Sequence, residues 1–516
     1  MRKLKSAKDV IVRGAALLAV LQVFEQLTGF LSQALIAGFF GASAVTDAYL
    51  MALVVLSLIT MWVTLPIMQV VIPMFRYDLA RQGEREAWQN VSVLLNNLLI
   101  VFVGIAIAGW LLAPFLTRLI GAGFDAETAE LSASLTRIVI LGVVFLGAAS
   151  FLSQIWYSYD RFLAPGISGI VTNLTAVAGI LLLAGRWGIY GLAVAVVIGH
   201  LASLAVKFPI LWRHRESYAF RVDFGHPRMK ELWRLSLPVF VSTGGFQIDR
   251  ITDRFFASLL TAGSLSALAF ASLLVHFPEK LLFNPFQTAT FPHFTRLIAT
   301  EKYDALSKQL FQYVRLLFFL AVPAAVGMIV LGDLIVSAVY QRGAFDERAV
   351  DLTTLALALY AAGLPAALMG HALNKTFVGL KDTRTVMRLN LFRIGTKIVL
   401  ALVLIPFLAH GGIALAESVS HYARTALLFH WLPAEVKGDE AWETARSFAG
   451  TLGATAIMGV GVYALRHASD GHLHVILQVA CLAPIGAAIF LVASWLSRQS
   501  EVQWLGRSLA AMTRRG

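Results

Sequence analysis

Apolar runs of roughly 20 residues recur along the whole chain, and each is long enough to cross a hydrocarbon layer about 30 Å thick. Hydrophobic residues make up 58% of the chain and charged residues only 14%, which leaves too little polar surface for a water-exposed globule. In lipid, each span must satisfy its own backbone hydrogen bonds, so the runs predict helices. The predicted fold is an all-α polytopic membrane protein with about 14 transmembrane helices, centred near residues 25, 60, 102, 143, 176, 200, 248, 278, 323, 362, 398, 422, 456 and 485.

Basic residues are distributed unevenly between the two sides of the predicted membrane. With the N-terminus inside, most of the 42 Lys and Arg residues are cytoplasmic. The exceptions are Arg118, Arg186, Arg342, Arg348 and Arg466 in external segments and Arg137, Arg250, Arg254 and Lys280 within spans. This asymmetry follows the positive-inside rule, so the net charge of +12 reflects topology and predicts no nucleic-acid partner. It places both termini in the cytoplasm, and the first span is expected to be a retained helix rather than a cleaved signal.

A displacement of 221 residues relates several segments of the chain. GAGFDAETAEL, which ends at Leu131, matches RGAFDERAVDL, which ends at Leu352, and YGLAVA from Tyr190 matches GGIALA from Gly411. Each copy holds an even number of spans, so the two copies face the same way, and transporters built from parallel repeats bind substrate where the halves meet. We predict two parallel six-helix lobes with an inter-lobe cavity and two further helices, with an N-lobe in residues 1–217, a C-lobe in 218–437, and the last two helices and a cytoplasmic tail in 438–516.

No segment outside the predicted membrane is long enough to form a catalytic domain. The longest runs from Trp212 to Arg234 and is mostly basic. The chain has no Gly-rich phosphate loop ending in Lys-Ser/Thr and no His-Glu-x-x-His motif. Its single cysteine, Cys481, excludes an intramolecular disulfide. We therefore expect a transporter and not an enzyme, without cofactor or bound metal.

Polar side chains inside the spans indicate where a substrate would bind. On the first span they recur at helical spacing and share one face, which consists of Gln22, Gln26, Gly29 and Gln33. A shift of 221 residues places an equivalent face on the seventh span, at Thr243, Gln247, Arg250 and Arg254. Charged groups in hydrocarbon cost at least a few kcal/mol each, so they must face a cavity or one another. Equivalent polar stripes in both halves favour a cavity between them.

Carboxylates flank both stripes and are candidate coupling or gating groups, at Glu25, Asp249 and Asp253. Two interpretations remain open for the seventh span, because its acidic and basic residues could line the cavity or neutralise one another in a structural network. Glu25 has no basic neighbour in its own span, which favours the cavity, although burial could instead keep it protonated. Arg137 and Glu417 are lone charges in their spans and are weaker candidates.

Three stretches resemble the signature segments of the MviN/MurJ lipid II flippases, which belong to the multidrug/oligosaccharidyl-lipid/polysaccharide exporter superfamily. They are GFFGASAVTDAY (Gly38–Tyr49), QRGAFDERAVDLTTLALALYAAGLPA (Gln341–Ala366) and GLKDTRT (Gly379–Thr385). The resemblance covers nearly the whole chain and implies alternating access around a central cavity. The cargo that it implies is an undecaprenyl-linked cell-wall precursor, flipped from the cytoplasmic to the outer leaflet of the bacterial inner membrane.

The chain departs from this family at several implied cargo-binding positions. The family's cavity arginines correspond here to Gln26, Ser32, Thr60 and Leu273, and a nearby family acidic residue corresponds to His276. The acidic residue that follows the family's first span is kept as Asp47. Because a guanidinium fork is the side chain best suited to phosphate oxygens, Arg250 and Arg254 are expected to hold the lipid-phosphate end. The saccharide would then contact Gln22, Gln26 and Gln33.

The predicted function is therefore that of a flippase for lipid II or a related lipid-linked polysaccharide unit, acting as a monomer in contact with membrane lipid. A coupling cation or the membrane potential would drive it. The alternative is a cation-coupled antiporter of multidrug or other small molecules from the same superfamily, with Glu25 or Asp253 as the ion-binding carboxylate.

Overall fold

The computed structural model describes residues 2–438, 440–469 and 474–502. Side chains are described for these residues except at positions 2–13, 15, 62, 63, 66, 237–247 and 281–292. All regular secondary structure in this part of the chain is helical, which confirms the predicted all-α class.

Seventeen helices follow one another along the described residues. The helices of the first half are α1 (Arg2–Phe40), α2 (Ala44–Arg81), α3 (Glu84–Ile120), α4 (Ala126–Val139), α5 (Gly142–Ser158), α6 (Leu163–Lys207), α7 (Pro209–Arg213) and α8 (Pro227–Ser258). The remaining helices are α9 (Ser264–Ala299), α10 (Tyr303–Val330), α11 (Gly332–Tyr340), α12 (Glu347–Gly379), α13 (Thr383–Leu408), α14 (His410–Trp431), α15 (Ala434–Lys437), α16 (Ala441–Ser469) and α17 (Val475–Leu496).

Every predicted span centre lies in a helix or at the break between α4 and α5, which together form a pair bent by 41°. The centres near residues 176 and 200 share α6, which is kinked at Gly188. Nine helices in the described part of the chain are long and apolar enough to cross a membrane, or ten if the bent pair counts as one span. The protein is thus a polytopic helical membrane protein, and the number 14 stays a prediction.

The duplicated sequence folds into duplicated local structure. Asp160 and Lys381, which are 221 residues apart, both have left-handed backbones, with φ of 54° and 63°. Gly188 inside α6 and Ala409 between α13 and α14 have the same relation, with φ/ψ of 55°/−137° and 46°/−127°. At the starts of α4 and α12, equivalent aspartates cap the helix: Asp125 accepts from the Thr128 N–H and Asp346 from the Ala349 N–H. Equal geometry at a constant displacement confirms the internal repeat.

Contacts divide the chain into two compact units. The first contains Met1–Ser266 with Gly343–Phe345, and the second contains Ala267–Arg342 with Asp346–Gly516. The division predicted near residues 217 and 437 stays a prediction.

A hydrophobic core in the first unit surrounds Trp88, which is fully buried at the start of α3 among side chains of α2, α5 and α7. Met229 and Leu232, from the first turns of α8, are buried in the same core. A core in the second unit joins Phe319 of α10 to α16 and α17 through Met458 and Phe490. The start of α8, which begins the second sequence copy, is therefore fixed within the first unit by apolar burial.

Candidate functional site

The glutamine face of α1 presents side chains of graded exposure. Gln22 is exposed, whereas Gln26 and Gln33 are half-buried. Ser32, which corresponds to a family arginine, is buried. Thr60, a second such position, is also buried, and its hydroxyl donates to the Leu56 carbonyl of its own helix at 2.8 Å. These side chains can offer hydroxyl and amide groups, but none of them supplies a cation.

Glu25 lies on α1 where this helix packs against α6. Its carboxylate is so close to Gly169 that a Cβ at residue 169 would overlap Oε1. The Asn173 side-chain amide donates to the Glu25 carbonyl at 3.0 Å. Lys207, buried at the end of α6, interacts electrostatically with Glu25. The basic partner that Glu25 lacks in its own span is therefore supplied by another helix.

Asp47 is buried in the first turn of α2, where its carboxylate accepts from two backbone amides at the start of α9. Oδ2 accepts from the Gly263 N–H and Oδ1 from the Ser266 N–H, both at 2.7 Å. The first amides of a helix have no intrahelical acceptors and carry partial positive charge, so a carboxylate there is stabilised. Arg254 also interacts electrostatically with Asp47. Asp47 thereby connects α2, α8 and the start of α9.

The charged stripe of α8 lies in its last three turns. Arg250 is exposed, whereas Asp249, Asp253 and Arg254 are half-buried. The side chain of Gln247 lies outside the described residues. Exposure makes Arg250 the cation of this stripe that is most accessible to an anion.

Arg137 of α4 stacks on an aromatic ring within the first unit. Its guanidinium lies 5.2 Å from the centre of the Trp110 ring. Its buried Nε atom makes no hydrogen bond within the described structure. The cation–π contact accounts for a charge at this depth without requiring a cargo.

Glu417 belongs to an ion cluster within the second unit, so the lone charge expected from the sequence is wrong. Its Oε2 is 2.7 Å from Lys397 Nζ, and its Oε1 is 3.2 Å from Arg393 Nη1 and 3.0 Å from His421 Nε2. Arg393 and Lys397 lie inside the apolar span of α13, so their assignment to cytoplasmic segments is also wrong. Arg393 and Lys397 could not be predicted as partners because they lie on a neighbouring helix, whereas His421 lies four residues after Glu417 on the same helix and could have been.

His276 forms a second polar cluster within the second unit, in which Glu279 accepts from two imidazoles. Glu279 Oε2 is 2.5 Å from His276 Nδ1, and its Oε1 is 3.2 Å from His371 Nε2. Glu279 and His371 were not predicted, although the spacing from His276 to Glu279 is one helical turn and could have indicated the first pair. Leu273, one turn before His276, is half-buried. Among the described residues, no group of three His, Cys, Asp or Glu side chains could hold a metal ion.

These clusters can bind polar and anionic groups or respond to ions, and they contain no nucleophile–base pair of the kind that catalyses a covalent step. Comparison with known proteins identifies the chain further. The family model described as "Lipid II flippase MurJ" matches residues 36–483, which is most of the chain. The chain belongs to the MurJ lipid II flippase family. That family consists of bacterial membrane transporters rather than catalytic enzymes.

Relatives and solved structures agree with this assignment. The "Probable lipid II flippase MurJ" of Rhizobium tropici is 26% identical over 409 residues, which cover 77% of this chain and 76% of the relative. A solved structure of "Lipid II flippase MurJ, inward closed conformation" has a TM-score of 0.76 at 20% identity, covering 93% of this chain and 98% of that chain. A multidrug resistance MATE family transporter has a TM-score of 0.67 at 14% identity, covering 82% and 95% of the two chains. The structural likenesses show a shared fold.

Proposed function

We propose that this protein translocates lipid II, or a closely related undecaprenyl-linked saccharide, from the cytoplasmic to the outer leaflet of the bacterial inner membrane by alternating access. The match of the MurJ family model to residues 36–483 carries this proposal. The transport involves no covalent step, so the protein is not expected to be an enzyme. The antiporter alternative is supported only by likeness of fold to a MATE transporter at 14% identity.

Complementation tests the proposal directly. In a bacterial strain depleted of its own lipid II flippase, expression of this chain should restore growth and restore lipid II to the outer leaflet. Vesicles reconstituted with the pure protein should flip fluorescent lipid II. If the protein reaches the membrane but neither growth nor flipping returns, while a different lipid-linked saccharide is flipped, then lipid II is not the cargo.

Cargo binding is assigned to two sets of side chains. Arg250 and Arg254 hold the pyrophosphate, because a deeply placed anion needs charged donors and the family's arginine positions are neutral here. Gln22, Gln26 and Gln33 bind the saccharide, with Gln247 as a further amide on α8. The exposure of Arg250 and the half-burial of Gln26 and Gln33 support this division.

Single changes on α8 test the phosphate role. Arg250→Ala and Arg254→Ala should abolish flipping while the protein remains in the membrane, and Lys at either position should restore it only in part. Arg234→Ala is the matched control, because Arg234 is exposed on the same helix far from the stripe. Full activity of both Ala variants would refute the role, whereas their loss from the membrane would favour a structural ion network. Gln26→Arg should shift preference towards lipid II if the native cargo is another saccharide.

Ion coupling or gating is assigned to the carboxylates Glu25, Asp47, Asp249 and Asp253. Arg137, His276 and Glu417 are weaker candidates for the site as a whole. The carboxylate of Glu25 contacts α6 and interacts with Lys207, so a movement of α6 against α1 would change the electrostatic environment of this carboxylate. This supports a coupling role for Glu25. Flipping by Glu25→Gln should no longer respond to an imposed proton or sodium gradient, whereas wild-type flipping should. An unchanged response of the variant would leave the membrane potential as the driving force and remove Glu25 from coupling.

The proposed topology has both termini in the cytoplasm, and the proposed functional unit is a monomer. Membrane-impermeant labelling of cysteines introduced at the exposed positions Ala122 and Lys230, in a Cys481→Ser background, should find residue 122 outside and residue 230 inside. Labelling of both from one side would contradict the topology inferred from the basic residues.

A further inference from the structure

The segment that joins the two sequence copies is held as an extended strap, Ser217–His226, along α3 of the first unit. The strap has no regular secondary structure. Two successive turns of α3 supply its hydrogen-bond partners, and all three of these side chains, Ser92, Asn96 and Asn97, are buried. Burial of a polar side chain costs free energy unless the side chain forms hydrogen bonds. The strap supplies those hydrogen bonds to the three side chains.

The hydrogen bonds bind one edge of the strap backbone. Asn97 forms a pair with Asp223, donating to its carbonyl at 2.7 Å and accepting from its N–H at 3.0 Å. Asn96 donates to the carbonyls of Ala219 and Arg221, both at 3.2 Å. Ser92 Oγ accepts from the Ala219 N–H at 3.2 Å. These bonds hold the strap through its backbone and leave the side chains of Phe220, Val222 and Phe224 exposed.

The outward side chains are large and apolar. Phe220 is 85% exposed, and Val222 and Phe224 are also exposed. Trp212, on the adjoining helix α7, is exposed as well, and the Arg215 guanidinium lies 5.4 Å from the centre of its ring. Contiguous exposed apolar groups indicate contact with a partner or a membrane.

The position of Asn97 on α3 fixes the depth of the strap. Residues 98–117 of α3 form a run of 20 residues without a charged or amide side chain, and a rise of about 1.5 Å per residue makes this run about 30 Å long. That length equals the hydrocarbon thickness of a bilayer, so Asn97 lies at one boundary of the hydrocarbon and Arg118 at the other. The strap, bonded to Asn96 and Asn97, therefore lies at the depth of the headgroups.

The strap also lies on the lipid-facing side of α3. Asn96 shares a helix face with the exposed residues Ile100, Val103, Ile107 and Leu111, which are spaced three or four residues apart. An exposed apolar face within a membrane span is a face that contacts lipid. The strap, bonded to Asn96, continues this exposed apolar face of the first unit beyond Asn97.

The charge of this region fits an anionic surface. Residues 212–234 contain six basic and three acidic side chains, a net charge of +3. Arg213, Arg215 and Arg221 are exposed beside the apolar groups. Aromatic side chains that enter the headgroup layer next to arginines are typical of interfacial anchors on anionic leaflets.

We propose that the strap is a membrane anchor that inserts Phe220, Val222 and Phe224 into the inner-leaflet interface, with Arg221 and the adjacent Arg213 and Arg215 on anionic headgroups. This site goes beyond cargo transport and does not depend on which lipid is flipped. It fixes the depth at which the chain leaves the first copy and enters α8.

Fluorescence quenching in reconstituted full-length protein tests the anchor. In a Cys481→Ser background, Val222→Cys is labelled with an environment-sensitive dye, which leaves Phe220 and Phe224 in place. Arg85→Cys is the matched control, because Arg85 is exposed on the same helix α3, about 18 Å below Asn97. In vesicles that contain phosphatidylglycerol, lipid spin-labelled near the headgroup should quench the dye at 222 several-fold more than the dye at 85. Aqueous iodide should show the opposite order.

Further variants separate the contributions. Phe220→Asp should reduce the lipid quenching at 222 to the level of the control. Arg215→Glu with Arg221→Glu should reduce it in phosphatidylglycerol vesicles but not in phosphatidylcholine vesicles. Equal iodide quenching at 222 and 85 would overturn the proposal. Protection from both quenchers would also overturn it, because the strap would then be covered by protein. These readouts do not measure flipping, so their failure is distinct from failure of the proposed transport function.

Discussion

Helix α6 of the first unit and the pair α13–α14 of the second unit turn back with nearly the same dihedral angles but have different interiors. Each turns back at a left-handed residue, Gly188 or Ala409. In α6 the two arms are joined by a neutral bond, from Thr172 Oγ1 to the Gly199 carbonyl at 3.3 Å. At the position equivalent to Thr172, the second copy has Arg393, which joins Glu417.

This contrast shows which part of a duplicated membrane fold is free to diverge. The turn, its dihedral angles and the helix ends are fixed by backbone hydrogen bonding, which lipid makes obligatory. The side chains between the arms need only satisfy one another. A hydroxyl–carbonyl bond does so in one copy, and a carboxylate with several cations does so in the other. The second solution is more costly to break, because it leaves a buried charge without its partner.

The largest expected effect comes from removing the shared carboxylate. Glu417→Gln should destabilise the protein by about 3 kcal/mol, because Lys397, which is 1% exposed, loses a carboxylate at 2.7 Å. Val196→Ala, the equivalent site in the first copy, should cost about 1 kcal/mol or less. Thermal unfolding in detergent measures both. Adding Lys397→Met to Glu417→Gln should recover part of the loss, and equal losses at 417 and 196 would refute the difference between the copies.

The second-largest expected effect is at position 169, where α6 contacts Glu25 of α1. Gly169→Ala should cost about 2 kcal/mol and displace Glu25, because the new Cβ would overlap the carboxylate. Gly185→Ala is the control within the same helix, since no atom lies within 4 Å of a Cβ there. Both flipping rate and thermal stability should be measured. A Gly169→Ala protein that matches the control in both would show that the Glu25 contact is not needed.

The two turns should respond in opposite directions to exchange of Gly and Ala. Gly188→Ala should cost about 1 kcal/mol or more, because a Cβ is disfavoured at φ 55° even though no neighbour lies within 4 Å. Ala409→Gly should gain up to about 1 kcal/mol, since the relief of strain exceeds the added chain entropy. Unfolding midpoints of the two variants decide the point. A lower unfolding midpoint for Ala409→Gly would mean that packing of the Ala409 methyl group stabilises the protein by more than the left-handed backbone destabilises it.

The smallest expected effect concerns the helix starts. Asp382 caps α13 by accepting from the Thr385 N–H at 3.1 Å, and hydrogen bonds from the Thr385 side chain and from this N–H lower the pKa of the carboxyl. The associated stability is present above the ordinary pKa and is lost as the pH falls through the lowered pKa. Asp382→Ala should cost less than about 1 kcal/mol at neutral pH. Arg161 is the equivalent site beside α6, whose first turn has no side-chain cap, so Arg161→Ala should leave the free energy of unfolding unchanged. Asp382→Asn should keep the cap and remove its pH dependence, and an identical acid profile for Asn and wild type would refute the assignment.

Much of the fold could be predicted because its signals are local. The helical class and the internal repeat follow from runs of side chains, and the structure confirms both, whereas the full set of 14 spans stays a prediction. The site could be predicted less completely. Asp47 accepts from residues 216 and 219 positions away, and Glu417 joins cations on another helix, so no local spacing could reveal either set of partners. The roles of the candidate cargo and coupling residues stay predictions.

The sequence by itself determined that the chain is embedded in lipid, that it is helical, that it contains an internal repeat and to which family it belongs. These properties depend on hydropathy, on charge asymmetry and on motifs carried by contiguous residues. Only the tertiary structure decided which polar groups inside the membrane meet, as Glu25 does with α6 and Glu417 with Lys397. It also decided that α8 begins in the core of the first unit and that a strap is bound along α3. The physical reason is that ion pairs and apolar burial act over a few ångströms in space, whatever the separation along the chain.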